Sequence, residues 1–101
     1  MMDKLKGKNM DDLFEAILCL ENVDECYKFF EDLCTVQELK AISQRLQVAK
    51  KLHAKQVYSN IVSETGASTA TISRVKRSLE YGSEGYDIVF ERLAKKGLMY
   101  E

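Results

Sequence analysis

The sequence contains no proline and only five glycines among its 101 residues. Proline breaks helices because it has no amide donor and its ring clashes with the preceding turn, so nothing of this kind interrupts long helices here. No segment alternates apolar and polar residues as a strand would, whereas apolar residues recur at spacings of three and four. These patterns predict an all-α protein.

Long apolar runs and an export signal are also missing. The longest apolar runs are far too short to span a bilayer, so we expect no membrane segment. The polar, basic stretch over residues 1–10 has no signal-peptide core. Cys19, Cys26 and Cys34 are therefore interpreted as reduced, mostly buried thiols of a cytoplasmic protein.

Patterns typical of catalysis or metal binding are scarce. His53 is the single histidine and lies among lysines and glutamines, so a zinc site would lack ligands. The sequence has no glycine-rich phosphate loop, no serine-nucleophile motif and no paired acids in an apolar context. We therefore expect no enzyme, no metal site and no resident cofactor.

The apolar spacing divides the chain into a leader and one domain. Residues 1–10 are predicted to be a mobile leader, and residues 11–101 to be a single helical domain. Asp11 or Asp12 is predicted to cap the first helix. The second helix is predicted over Asn22 to Cys34.

A long third helix follows a recognisable start signal. Thr35 and Glu38 form a capping box, in which each side chain accepts a hydrogen bond from the other residue's backbone amide. The helix is predicted to continue to about residue 54. Its expected apolar stripe comprises Leu39, Ile42, Leu46, Ala49 and Leu52, with Val48 beside it.

Charge is distributed unevenly although the net charge is only −1. Residues 11–32 hold eight acids and one base, a net −7, whereas residues 40–77 hold eight bases and one acid, a net +7. A basic half favours approach to a polyanion.

The basic half contains a helix-turn-helix pattern at about residues 58–81. Two short helical segments, Tyr58 to Thr65 and Ser68 to about Tyr81, flank Gly66, which tolerates the positive φ of a tight turn. The inward-facing residues are predicted to be Ile61, Ala67, Ile72 and Val75. A closing helix is expected over Tyr86 to Lys96, with Gly97 as its stop.

The outward face of the second segment is small, polar and basic. Such a face fits the major groove of double-stranded DNA, where hydroxyl groups and arginines reach base edges and phosphates. The predicted DNA contacts are Ser68, Thr69, Ala70, Thr71, Ser73, Arg74, Lys76 and Arg77. A plain helical hairpin is the alternative, because Val62 and Thr65 fit a generic helix-turn-helix poorly.

The first two helices have apolar residues on more than one face, including Leu13, Phe14, Phe29 and Phe30. A chain of this size has little core in which to bury them. Two explanations are open: they cover the third helix, or they form a subunit interface. We favour a homodimer, since two-fold dimers are the commonest oligomers.

Two stretches resemble the Trp repressor superfamily, and most closely its short YerC/YecD-type branch. They are the run from Thr35 to Leu46 and the run Gly66-Ala-Ser-Thr-Ala-Thr-Ile-Ser-Arg74, supported by the region from Glu80 to Tyr86. The resemblance covers roughly residues 10–95. It implies an intertwined, all-helical homodimer with two projecting helix-turn-helix units, acting as a sequence-specific transcriptional regulator and repressor.

The resemblance also raises the question of a corepressor, tryptophan or another amino acid. Family positions that hold tryptophan match Thr35, Arg45, Arg74 and Ser78 in this sequence. However, Val75 replaces a glycine beside the indole ring, and the turn before Tyr58 is one residue shorter. The alternative, which we favour, is that Thr35 is a helix cap, Arg45 a solvated helix arginine and Arg74 a DNA contact.

A different class of function also remains open at this stage. The acidic helices could bind a protein, with the helix-turn-helix serving only as a scaffold. The salt dependence of DNA binding distinguishes a helical interaction module from a DNA-binding regulator.

Overall fold

The computed structural model describes residues 2–99, with side chains from residue 4 onward, and all its elements are α-helices. In chain order these are α1 (Met2–Leu5), α2 (Lys8–Leu18), α3 (Val23–Leu33), α4 (Val36–His53), α5 (Tyr58–Thr65), α6 (Thr69–Tyr81) and α7 (Gly85–Lys95). No strand occurs among the described residues, so the predicted all-α fold is confirmed. None of these helices is both long and apolar enough to cross a membrane.

The chain divides into two compact units, one ending at Leu39 and the other starting at Lys40. In the first unit, the first long helix begins earlier than predicted. Helix α2 begins at Lys8, because the Asp11 amide already donates to the Gly7 carbonyl and Lys8 pairs with Asp12 one turn later. Neither Asp11 nor Asp12 is the cap. The mobility of the leader and the single-domain description stay predictions.

Local side-chain hydrogen bonds set the starts of the next two helices. The Asn22 side chain accepts from the Glu25 amide at 2.9 Å and caps α3. At the start of α4, Thr35 Oγ1 accepts from the Glu38 amide at 3.1 Å, and Glu38 Oε1 accepts from the Thr35 amide at 2.8 Å. The predicted capping box is therefore confirmed. The hydrogen bond from the Thr35 amide stabilises the ionised Glu38 carboxylate and holds the pKa of Glu38 below its usual range.

The first unit leaves much apolar surface exposed. No residue of α2 or α3 is buried. Exposed large side chains include Phe14, Leu18, Val23, Tyr27 and Leu33. The cysteines are free, but Cys19 is exposed and the other two are only half-buried. The prediction of mostly buried thiols is wrong for the single chain, because these helices have no core of their own in one copy.

The core lies in the second unit. Its buried members are Val48, Ala49, Ile61, Ala67, Ile72, Val75 and Phe90. All four residues predicted to face inward in the helix-turn-helix are among them. The apolar stripe predicted for α4 is only partly correct, because Ile42 is 54% exposed while Val48 is fully buried. The core packs against Leu46, Val48, Ala49 and Leu52 in the C-terminal half of α4, and Ile42 lies before this stretch.

The ends of α4 and α7 share one backbone geometry. After α7, the Leu98 amide donates to the Leu93 carbonyl, and Gly97 has a positive φ of 74°. The predicted stop at Gly97 is confirmed. After α4, the Gln56 amide donates to the Lys51 carbonyl, and Lys55 takes the left-handed conformation with φ 67°. This compact ending directs the chain into α5 within a few residues.

Candidate nucleic-acid interface

Helices α5 and α6 pack on each other through a three-residue turn. Gly66 closes α5 with φ 74° and ψ 4°, and its amide donates to the Val62 carbonyl at 2.9 Å. A Cβ atom at Gly66 would meet nothing within 4 Å. Glycine therefore suits this turn because of its left-handed backbone and not because space is short.

Thr65 stands at the turn position where an apolar residue is usual, and its hydrogen bonds show how a polar residue fits there. Its hydroxyl donates to the Ile61 carbonyl at 2.6 Å and accepts from the Ala67 amide at 3.1 Å. Both backbone groups lie beside the core, where an unsatisfied polar group would be costly. The threonine hydroxyl thus ties the end of α5 to the turn.

Ser68 caps α6 and orients its first turn. The Ser68 hydroxyl accepts from the Thr71 amide and donates to Thr71 Oγ1, both at 3.1 Å. Thr71, one of the predicted DNA contacts, is half-buried. The two hydroxyls are therefore engaged in the cap, and the free amides of the first turn point out of the helix N-terminus.

Five of the predicted contact residues form one exposed face of α6, which we name the recognition surface: Thr69, Ala70, Ser73, Arg74 and Arg77. Their spacings of three and four place them along one side of the helix. Ile72 and Val75 are buried and hold the opposite side in the core. Arg74 and Arg77 make no ion pair with any described residue, so both guanidinium groups are available to an anionic ligand.

Lys76 differs from the two arginines in its surroundings. Its ammonium group lies 3.9 Å from a Glu80 carboxylate oxygen and 5.9 Å from the centre of the Tyr58 ring. Glu80 lies one turn further along α6 and Tyr58 lies at the start of α5, so the ammonium group has partners within the protein, unlike the two arginines. We therefore separate it from the residues placed to touch bases.

The four predicted effector residues have dissimilar surroundings. Thr35, in the first unit, is used in the capping box, while Arg45, Arg74 and Ser78 of the second unit are exposed and share no hydrogen bond or ion pair among the described residues. Val75 is only 4% exposed and belongs to the core. A cavity of about 500 Å³ in the second unit is lined by residues such as His53, Lys76 and Asp87, and none of the four lines it.

Sequence patterns did not single out Gln44 and Lys51, two residues of α4 that contact the end of α5. The Gln44 side chain donates to the Thr65 carbonyl at 3.2 Å, and Lys51 forms an ion pair with Glu64. Their partners lie 21 and 13 residues away in the chain, so no local spacing could have revealed the contacts.

Comparison with known proteins gives concordant results. The family model described as Trp repressor protein matches residues 8–94. The uncharacterized protein YerC of Bacillus subtilis (strain 168) is 52% identical over 92 residues, which cover 91% of this chain and 88% of YerC.

Two solved structures are similar throughout. A crystal structure of a candidate Trp repressor from Staphylococcus aureus superposes with a TM-score of 0.89 at 54% identity, covering 93% of this chain and 94% of that one. A TrpR-like protein from Eubacterium eligens ATCC 27750 gives a TM-score of 0.88 at 56% identity, covering 91% and 95%.

Proposed function

This chain belongs to the Trp repressor family, and from that premise we propose that it is a transcriptional regulator that binds double-stranded DNA through the α5–turn–α6 unit. One observation supports this most strongly: the recognition surface is exposed, small and polar, and has two arginines without ion pairs. Its opposite side is fixed in the core by Ile72 and Val75. We further propose that it acts in the cytoplasm as a repressor.

The residues of the recognition surface suit different parts of a base pair. Arg74 and Arg77 each match the two acceptors of guanine in the major groove, and the Ala70 methyl group matches the methyl group of thymine. Thr69 and Ser73 are short, so they permit close approach and offer hydroxyl hydrogen bonds. The α6 N-terminus at Ser68 and Thr71 is suited to a phosphate, and Lys76, farther along the same helix, adds positive charge.

The distribution of charge also supports DNA binding by this part of the chain. The segment 40–77 has a net charge of +7, and its bases outside the recognition surface include Lys40, Lys50 and Lys55. Contacts from these bases to phosphates supply affinity without sequence preference. The basic segment 40–77 therefore supplies most of the affinity for DNA, and the recognition surface supplies most of the sequence specificity.

The test is a selection of bound duplexes from a random DNA pool, made with and without tryptophan. We expect one enriched motif, and a Kd that weakens with salt at a log–log slope of about −0.9 per phosphate contacted. A flat salt dependence and an unenriched pool would contradict DNA binding. That outcome would support the protein-interaction module instead.

We also propose that the active form is a homodimer whose interface includes the exposed apolar side chains of α2 and α3. Phe14, Leu18 and Tyr27 are 52%, 76% and 72% exposed in the single chain, and apolar surface of this extent favours association. Sedimentation equilibrium at low micromolar concentration should give about twice the 11.6 kDa of one chain. A Leu18→Glu variant should shift toward monomer, and a wild-type protein that sediments only as a monomer would contradict the dimer.

A further inference from the structure

The last turn of α5 is held by two side chains of α4. Gln44 Nε2 donates to the Thr65 carbonyl at 3.2 Å, and the Lys51 ammonium group pairs with the Glu64 carboxylate. Gln44 and Lys51 are two helical turns apart on α4, so they lie on one side of that helix. Their partners, the Thr65 carbonyl and the Glu64 carboxylate, belong to consecutive residues, so both contacts are made at the same point of the chain.

These contacts satisfy groups that a helix end leaves open. The last carbonyls of a helix have no partner within it. Here the Ile61 carbonyl accepts from the Thr65 hydroxyl, the Val62 carbonyl from the Gly66 amide, and the Thr65 carbonyl from Gln44. The Lys51 side chain is only 19% exposed, and its positive charge lies near the negative end of the α5 dipole.

We propose that Gln44 and Lys51 are positioning residues for DNA recognition, and this inference rests on the proposed function. They fix the angle at which α5, and with it α6, is held on α4. Thr69, Ala70 and Ser73 are too short to compensate for a displaced helix, whereas long basic side chains still reach phosphates. Loss of the Gln44 and Lys51 contacts should therefore reduce discrimination between DNA sequences more than it reduces overall affinity for DNA.

Gln44→Met tests the hydrogen bond without changing charge or much volume. The Kd of the variant dimer is measured for the selected duplex and for a scrambled duplex of equal length at one salt concentration. We expect binding of the selected duplex to weaken about fivefold to tenfold, and binding of the scrambled duplex to change by less than about twofold. Gln47→Met is the matched control, because Gln47 is an exposed glutamine of α4 that makes no hydrogen bond with described residues.

The ion pair is tested by exchanging its partners. Lys51→Glu and Glu64→Lys should each lower the affinity for the selected duplex relative to that for the scrambled duplex. The double exchange keeps the original net charge and should restore much of this preference. Circular dichroism confirms that each variant is helical, and the exchange remains informative if Gln44→Met does not fold.

Three results would overturn the inference in distinguishable ways. If Gln44→Met and the ion-pair variants discriminate as well as the wild type, the positioning role is wrong while the proposed function stands. If the variants lose affinity equally for both duplexes, the Gln44 and Lys51 contacts contribute to stability only. If the wild type itself shows no preference between the duplexes, the proposed function fails, and this inference fails with it.

Discussion

Replacing Arg74 and Arg77 together by alanine should weaken binding of the selected duplex by about a hundredfold. Each side chain is exposed and has no ion pair among the described residues, so neither is held back from DNA by a competing carboxylate. A specific arginine contact is worth about 1–3 kcal/mol, and roughly 1.5 kcal/mol from each gives this combined loss. Fluorescence anisotropy with labelled duplex, at several salt concentrations, measures both the affinity and the salt slope.

The control must remove the same charge elsewhere. Lys95→Ala with Lys96→Ala removes two exposed bases at the end of α7, outside the recognition surface. We expect this control to change affinity by only a few fold, through the long-range field of the protein. Equal binding by the wild type and the double arginine variant would show that α6 is not the recognition helix.

The parts of this fold that were predictable depend on short-range signals. The capping box at Thr35 and the cap at Ser68 each involve residues three apart, and the left-handed turn needs only Gly66. The end of α5 followed from the turn signal at Gly66, whereas its start at Tyr58 has no side-chain cap. The buried set of the helix-turn-helix was also predictable, because helical spacing alone separates Ile72 and Val75 from the recognition surface.

The remaining features depend on contacts between distant segments. Ile42 was wrongly included in the predicted stripe of α4, because the position of Phe90, which packs into the same core as Val48, cannot be found from the spacing within α4. Gln44 was missed for the same reason, because its partner Thr65 lies 21 residues away. Thr65 is a separate case: its partners Ile61 and Ala67 are local, but the spacing of apolar residues gives no sign of a hydroxyl that bonds to the backbone at this position.

Val75→Gly should lower the free energy of unfolding by about 2–4 kcal/mol. The side chain is only 4% exposed within the core, so its removal loses apolar burial and leaves a cavity, and glycine adds about 1 kcal/mol of helix cost. Urea denaturation followed by circular dichroism measures the change. Ala70→Gly on the exposed face of α6 is the control, because it isolates the helix cost, and an equal loss in both variants would show that Val75 contributes little packing.

The same valine underlies the expectation that the wild-type protein does not respond to tryptophan. In the family that this chain resembles, a glycine stands beside the indole ring, and valine adds three carbons there. Fitting both groups into one close-packed space costs roughly 1–3 kcal/mol, and about 2 kcal/mol is a thirtyfold loss of affinity. Titration calorimetry should therefore detect no tryptophan binding by the wild type. It should detect measurable binding by the Val75→Gly variant, provided that this variant folds.

The exposed positions Thr35, Arg45, Arg74 and Ser78 would still be present in both proteins, so a difference between them would isolate the steric effect of residue 75. Wild-type binding in the micromolar range, coupled to tighter binding of the selected duplex, would contradict the steric argument and assign these residues to an amino-acid sensor. Binding by neither protein would instead mean that the exposed residues do not form the pocket. In that case Arg74 keeps only its proposed role in DNA contact.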